Sequence, residues 1–208
     1  MKHRILITGC SGFLAGHLIE ALHSCGEEDL TGLTEVAGFV HPALTVAHCD
    51  LRDRERVRQV VRESRPELVF HLAALTNVAV SWRDPPLTYG VNLTGSSNLL
   101  ESLEAEAPGA SVVLMSTAEL YRPGVGGDPL TEEHPVLPQN PYALSKLAME
   151  MAGRLFQLKK KIKVSVVRSF NFTGPGQARL FVAADFAAQI AESEAGRREA
   201  VIRVGNLA

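Results

Sequence analysis

The stretch Arg4-Ile5-Leu6-Ile7-Thr8-Gly9-Cys10-Ser11-Gly12-Phe13 decides the fold. Arg4 to Thr8 is a short apolar, β-branched run that stops at glycine, and from Gly12 onward Phe13, Leu14, Leu18, Ile19 and Leu22 recur with helical period. The reading is strand, tight glycine turn, helix. Such a turn lets main chain approach a ligand closely and points the N–H groups of the helix start at it, which suits a pyrophosphate. The spacing is Gly9-x-x-Gly12-x-x-Ala15, with Gly16 displaced by one, and close packing of helix on strand would account for the same glycines.

Outward from this unit the pattern repeats. Cys25-Gly26 closes the first helix, Glu27 to Glu35 reads as a polar connection, and Val36 to Val40 as a second strand ending at His41-Pro42. In a dinucleotide fold an acid at that strand end takes the ribose hydroxyls, and its absence leaves room for a 2′-phosphate. With no acid at His41 the balance tips slightly toward NADP(H) over NAD(H), although the long connection leaves the register open and Glu35 able to fold back. Thr45 to Cys49 is a third strand, leading to Asp50-Leu51, and Asp53 caps a helix whose arginines 54, 56, 58 and 62 alternate with acids as on a solvated face. Leu68 to Leu72 is an apolar strand in which His71 reads as a hydrogen-bonded core histidine, followed by the small pair Ala73-Ala74.

Asp84-Pro85-Pro86 opens a long helix that runs through Leu103 and breaks at Pro108-Gly109. Ser111 to Ser116 is the next strand, which delivers Thr117 and Glu119 to its carboxyl end, where open parallel sheets bind ligands. The Pro- and Gly-rich segment from Tyr121 to Asn140 is long enough to cover a substrate. A sixth strand at Lys163–Ser169, a helix at Leu180–Ala195 and a last strand starting at Ala200 complete the chain. Strands alternating with helices throughout predict an α/β fold, a doubly wound parallel sheet with helices on both faces.

One helical segment carries chemistry. If residues 141 to 158 form a helix begun by Asn140-Pro141, Tyr142 and Lys146 stand one turn apart on one face. A phenol has a pKa of roughly 10 in water and a neighbouring ammonium favours its phenolate, so the pair is a candidate proton donor or acceptor. A half-buried Tyr beside a snorkelling Lys is the plain structural alternative.

Composition excludes several classes. A net charge of −2 with mixed signs offers no electrostatic footing for nucleic acid or an anionic membrane, and the longest apolar runs fall short of the roughly 20 residues a span needs. Lys159-Lys160-Lys161 fits a helix end better than a nucleic-acid patch. Met1-Lys2-His3-Arg4 leads straight into a strand, so the expected compartment is the cytoplasm. Cys10, Cys25 and Cys49 show no metal spacing and read as small buried thiols, and no metal is expected. The glycosylation patterns at Asn92 and Asn171 read as coincidences.

Five motifs follow in order: Thr8-Gly9-Cys10-Ser11-Gly12-Phe13, His71-Leu72-Ala73-Ala74, Thr117-Ala118-Glu119-Leu120-Tyr121, Tyr142-Ala143-Leu144-Ser145-Lys146 and Arg168-Ser169-Phe170-Asn171-Phe172-Thr173-Gly174-Pro175. Together they resemble the extended short-chain dehydrogenase/reductase family and, within it, the sugar-nucleotide enzymes. The phrase Arg168 to Gln177 looks closer to GDP-4-keto-6-deoxy-mannose reductases than to GDP-mannose 4,6-dehydratases. The resemblance implies a Rossmann domain over 1–170 and the start of a substrate-binding portion over 171–208. It implies that Gly9, Ser11, Gly12, Phe13 and Leu14 hold the pyrophosphate side of NADP(H) or NAD(H), that His41 lies beside the cofactor, that Asp50-Leu51 meets the adenine, and that Leu72, Ala73 and Ala74 line the cofactor path.

In the same way Tyr142 would be the general acid, Lys146 would lower its pKa and bind the nicotinamide ribose, and Thr117 would bond the sugar C4 oxygen. Asn171 and Arg179 would face the nucleotide-sugar substrate. The implied reaction is reduction of a nucleotide-linked 4-keto-6-deoxy sugar. Glu119 beside Thr117 keeps a 4,6-dehydratase or 4-epimerase open, and a non-catalytic nucleotide-binding scaffold is a third reading. A homodimer through the helices at 84–104 and 141–158 is implied as well. Departures from the family are Ala15 for the third glycine, Arg122 where glycine is common, and a chain that stops after Gly205-Asn206-Leu207 where members run on, so that it reads as truncated with one wall of the substrate pocket incomplete.

Overall fold

The computed structural model describes residues 3–121, 129–159 and 161–204, and in it the opening stretch folds as β1 (Ile5–Thr8), the glycine turn and α1 (Phe13–Ser24). There follow β2 (Leu30–Thr34), β3 (Thr45–His48), α2 (Arg54–Ser64), β4 (Leu68–His71), α3 (Val78–Arg83) and α4 (Pro85–Tyr89). A π-helical turn (Gly90–Gly95) joins α4 to α5 (Ser96–Glu106), and then come β5 (Ser111–Thr117), a 3₁₀ turn (Ala118–Leu120), α6 (Pro141–Leu158), β6 (Lys163–Ser169) and α7 (Val182–Glu194). The six strands pair in parallel in the order β3-β2-β1-β4-β5-β6. Connections therefore run outward in both directions from the β1–β4 pair, which opens a crevice at the carboxyl ends of those two strands.

Both faces of the central strands are covered, while β6 at the edge leaves Val166 and Val167 exposed, and the period-two alternation of β1 shows how the covering works. Ile5 and Ile7 pack with Ala15 and Ile19 of α1, whereas Leu6 joins a larger core with Val57, Val61, Leu99, Leu103 and Met149 from α2, α5 and α6. Asp53 caps α2 by accepting from the Arg56 N–H at 3.0 Å, as its position predicts. The arginines of α2 do more than face solvent: Arg58 and Arg62 both reach Glu106 and Arg54 reaches Glu101, which ties α2 to α5. The chain divides into two compact units, Met1–Phe170 and Asn171–Ala208, with the sheet in the first and α7 in the second. No helix among the described residues is long and apolar enough to cross a membrane.

Several expectations need correction. The second strand is Leu30–Thr34, inside the stretch read as a polar connection, and Val36 and Val40 are exposed in the turn that follows. Gly32, and the acids Glu27, Glu28 and Asp29 just before it, disguise this strand in the sequence. The glycine is there for a tertiary reason, since a β-carbon at position 32 would stand 2.7 Å from Cys10 Sγ of the glycine turn. The helix after Asp84 is interrupted by the π turn, and α3, capped by Asn77, precedes it unannounced. Cys25 is exposed, unlike Cys10 and Cys49. Residues 201–204 form no strand; the Arg203 N–H donates to Gln189 and the Gln189 amide donates to the Arg203 carbonyl, so α7 supplies the bonds a neighbouring strand would. Arg122, Lys160 and Gly205-Asn206-Leu207 lie outside the described residues.

Replacing Gly32 by Ala forces Cys10 or Leu44 aside and should cost about 1–3 kcal/mol by urea unfolding. An unchanged midpoint would show that the contact yields freely.

Candidate active site

The glycine turn approaches β4 as closely as main chain can. Gly9 has φ 69°, and a β-carbon on it would lie 2.8 Å from the Ala73 Cα and N. Gly12 is the N-cap of α1 and gives that helix no side-chain cap hydrogen bond. The Ser11 hydroxyl meets Thr34 at 2.8 Å, which fastens the turn to the end of β2. Glu35 follows directly, exposed, in the field of Arg52. Asp50 grips Arg52 with both oxygens, and this pairing lowers its pKa. Leu51 is buried, with its carbonyl held by Asn98. His41 stands at no strand end; it lies in the loop before β3 and lines a shallow hollow with Ile19, His23 and Pro42 against α1.

Beneath the crevice runs a closed polar chain. The Ser96 hydroxyl donates to the Asn92 carbonyl, so it accepts from His71 Nε2–H, 2.7 Å away, and His71 Nδ1 in turn accepts from the Thr8 hydroxyl at 2.7 Å. Thr8 also accepts the Ala73 N–H at 3.2 Å. His71 is the last residue of β4, not a mid-strand residue, and it is a core histidine with both ring nitrogens satisfied in the neutral form. Burial, helped by the nearby Lys146 charge, holds its pKa down to about 3.

The chemical groups meet at the carboxyl end of β5. Asn140 caps α6 by accepting the Ala143 N–H at 2.7 Å, and its amide donates to Glu119 at 3.2 Å. Tyr142, the second residue of α6, is 8% exposed. Lys146, one turn on, is 2% exposed and donates to the Met115 carbonyl at 2.8 Å. Burial raises the Tyr142 pKa, the Thr117 hydroxyl opposes that rise, and the Glu119 charge adds to it. The Lys146 ammonium is turned to main chain on β5. Burial lowers the Lys146 pKa to about 8, and Glu150 works against the fall.

Asn92, read only as a chance glycosylation pattern, is 1% exposed and central. Its side chain takes the Leu75 N–H at 2.8 Å, returns a bond to the Leu75 carbonyl at 3.0 Å, and donates to Ser145 at 2.8 Å; Ser145 then donates to the Tyr142 carbonyl. The π turn is what brings this side chain round to both partners. Glu150 was missed altogether, though its spacing of four from Lys146 and eight from Tyr142 was legible. Its buried carboxylate accepts from Ser116 and from Arg168, whose Nη2 lies at 2.7 Å. Of the two substrate candidates in the second unit, Asn171 is exposed, and Arg179 is engaged with Glu192 and Asp185.

The sequence matches the family of GDP-mannose 4,6-dehydratase over residues 6–208, and the chain belongs to that family. It is 34% identical over 209 residues to GDP-6-deoxy-D-mannose reductase of Pseudomonas aeruginosa, covering all of this chain and 64% of the reductase. Among solved structures, RMD from Pseudomonas aeruginosa complexed with NADPH aligns over the whole chain and 65% of that protein, at 32% identity and a TM-score of 0.84. The UDP-glucose 4-epimerase of Thermus thermophilus complexed with NAD aligns over 92% of this chain and 63% of its own, at 32% identity and a TM-score of 0.83. The chain thus spans just under two thirds of these relatives.

A pH titration of stability tests the buried histidine. Its folded pKa lies below the unfolded value of about 6.5, so its neutral form stabilises fully above that pH. The contribution should be lost as pH falls from about 6.5 toward 3, by up to about 1 kcal/mol per pH unit. His71→Gln should flatten that part of the profile; equal slopes in the two proteins would contradict the assignment.

Proposed function

We propose that the chain is the nucleotide-binding part of an enzyme that reduces a nucleotide-linked 4-keto-6-deoxy sugar at the expense of a nicotinamide dinucleotide, with Tyr142 as general acid. One observation carries this reading. The buried Tyr142 phenol stands against the Thr117 hydroxyl at the carboxyl end of β5, with the buried Lys146 one turn on in the same helix. A phenol so placed can donate a proton to an alkoxide formed at that strand end.

The residues fit the dinucleotide. The positive φ of Gly9, its close approach to Ala73 and the start of α1 at Gly12 make a cradle for a pyrophosphate with Ser11, Phe13 and Leu14 around it. A bound nicotinamide supplies the hydride for the ketone carbon. Thr117 holds the carbonyl oxygen, Tyr142 donates its proton as charge develops there, and Lys146, anchored on Met115, keeps donors free for the ribose. Asn171 and Arg179 are the substrate-binding candidates of the second unit, where Arg179 has to give up its present acidic partners. The preference for NADP(H) rested on a strand end without an acid. With β2 ending at Thr34, Glu35 stands just beyond it, and its charge favours the free 2′-hydroxyl of NAD(H) over a 2′-phosphate.

Glu119 supports a second reading, a 4,6-dehydratase or 4-epimerase. It is exposed beside Thr117 and tied through Asn140 to the start of the Tyr142 helix, where a carboxylate can take a sugar proton. Net consumption of reduced cofactor marks the reductase; a changed sugar without it marks the alternative.

Tyr142→Phe should lower kcat by about 10²–10⁴-fold. The same variant should retain dinucleotide binding, seen as a thermal stabilisation of about 2.7 kcal/mol at a hundredfold excess over Kd. Turnover that survives the substitution overturns the assignment. A homodimer also belongs to this proposal. On α6 the exposed Leu144, Met151, Leu155 and Leu158 follow the spacing of a coiled-coil seam, which a second copy can cover about a two-fold axis. Light scattering should report a dimer and Leu155→Glu a monomer; a monomeric parent protein removes the idea.

A further inference from the structure

Tyr142, Lys146 and Glu150 are spaced by four on α6, and all three are buried. The Lys146 ammonium has the neutral Met115 carbonyl as its hydrogen-bond partner. Glu150, 4% exposed, lies one turn on and its charge acts on Lys146, and it is itself shared: Ser116, the residue after Met115, donates to it, and Arg168 of β6 grips both of its oxygens. Arg168 reaches further, to the Tyr121 hydroxyl at 3.3 Å, with its guanidinium over the Tyr121 ring. Carboxylate and guanidinium thus line up behind the lysine with the negative end nearer to it.

We infer that the Glu150–Arg168 pair is a positioning device for Lys146, which keeps its buried ammonium charged and held against the end of β5. The functional weight of this inference rests on the reading of Lys146 as a ribose ligand given above. Other groups facing the lysine do not substitute for the pair. Tyr142 on the same helix is a protonated phenol, His71 on β4 is neutral, and the π turn presents the neutral Asn92 through Ser145. From β5 the lysine meets the neutral Met115 carbonyl, Ser116 donates to Glu150, and Glu119 beyond β5 acts on Tyr142. A bare desolvated ammonium loses its proton readily, and at a pKa of about 8 this one stays charged at neutral pH.

The pair predicts shifts of opposite sign, which a merely structural ion pair would not produce. Lys146 is one of six lysines, so its ε-methylene resonance can be followed in protein labelled with ¹³C-lysine and assigned by its loss in Lys146→Arg. In Glu150→Gln, which removes the carboxylate and leaves Arg168 uncompensated, its titration midpoint should fall by about one pH unit, a tenfold loss of proton affinity. In Arg168→Met, which frees the carboxylate, it should rise. The double variant Glu150→Gln/Arg168→Met leaves no unpaired buried charge and should titrate between Glu150→Gln and the parent, so the test survives if a single variant fails to fold. Midpoints that do not move, or that move the same way in both single variants, overturn the inference. NADH affinity measured across the same pH range separates the two ideas. Affinity that tracks the Lys146 midpoint supports both, whereas midpoints that shift as stated with affinity unaffected support the device and overturn Lys146 as a cofactor ligand.

Discussion

Lys146 is 2% exposed, and its ammonium ends on a single main-chain carbonyl of β5 at 2.8 Å. Removing such a charge from water is costly unless neighbours compensate, and the surrounding structure is arranged to do so. Glu150 sits one turn away, His71 is kept neutral by burial and by that same ammonium, and α6 is pressed onto the sheet to make the lysine reach. Gly153 permits this last contact, since a β-carbon there would lie 2.6 Å from Leu114 Cδ1 on β5. Helix α6 therefore lies close on the sheet at Gly153.

Other parts of the site are held to the same frame through buried polar chains. Thr8 belongs to the strand that starts the glycine turn, and through His71 and Ser96 it connects to the π turn carrying Asn92. Asn92 then spans to the Leu75 main chain and, by way of Ser145, to Tyr142. A displacement at the proposed pyrophosphate cradle is thereby linked, through fully satisfied hydrogen bonds, to the helix bearing the phenol. Sites built from rigid elements and closed networks of this kind hold their geometry more closely than sites on loops.

Much of this was legible in the chain. Local period revealed β1, α1 and α6, and the turn chemistry of Gly9 and the caps Asp53 and Asn140 marked their ends. The four-residue spacing placed Tyr142 and Lys146 on one face. The second strand was misplaced because Gly32 argues against a strand by propensity and three acids stand just before it, while the apolar Val36 to Val40 argue for one. Burial against α1 and the Cys10 thiol outweighed that preference. The same misplacement put His41 at the strand end, a place that Thr34 holds, with Glu35 just beyond it.

The amino-acid sequence by itself determined the order of strands and helices, the class of sheet they build and which residue types would gather at its carboxyl end. These follow from periodicity and turn chemistry, which act over a few neighbouring residues. Only the tertiary structure decided that Lys146 bonds the Met115 carbonyl, that Asn92 is a buried clamp, and that Glu150 and Arg168 form a buried ion pair. Those outcomes depend on desolvation and on hydrogen-bond closure between segments as far apart as residues 8 and 71 or 92 and 145, and no local pattern encodes either.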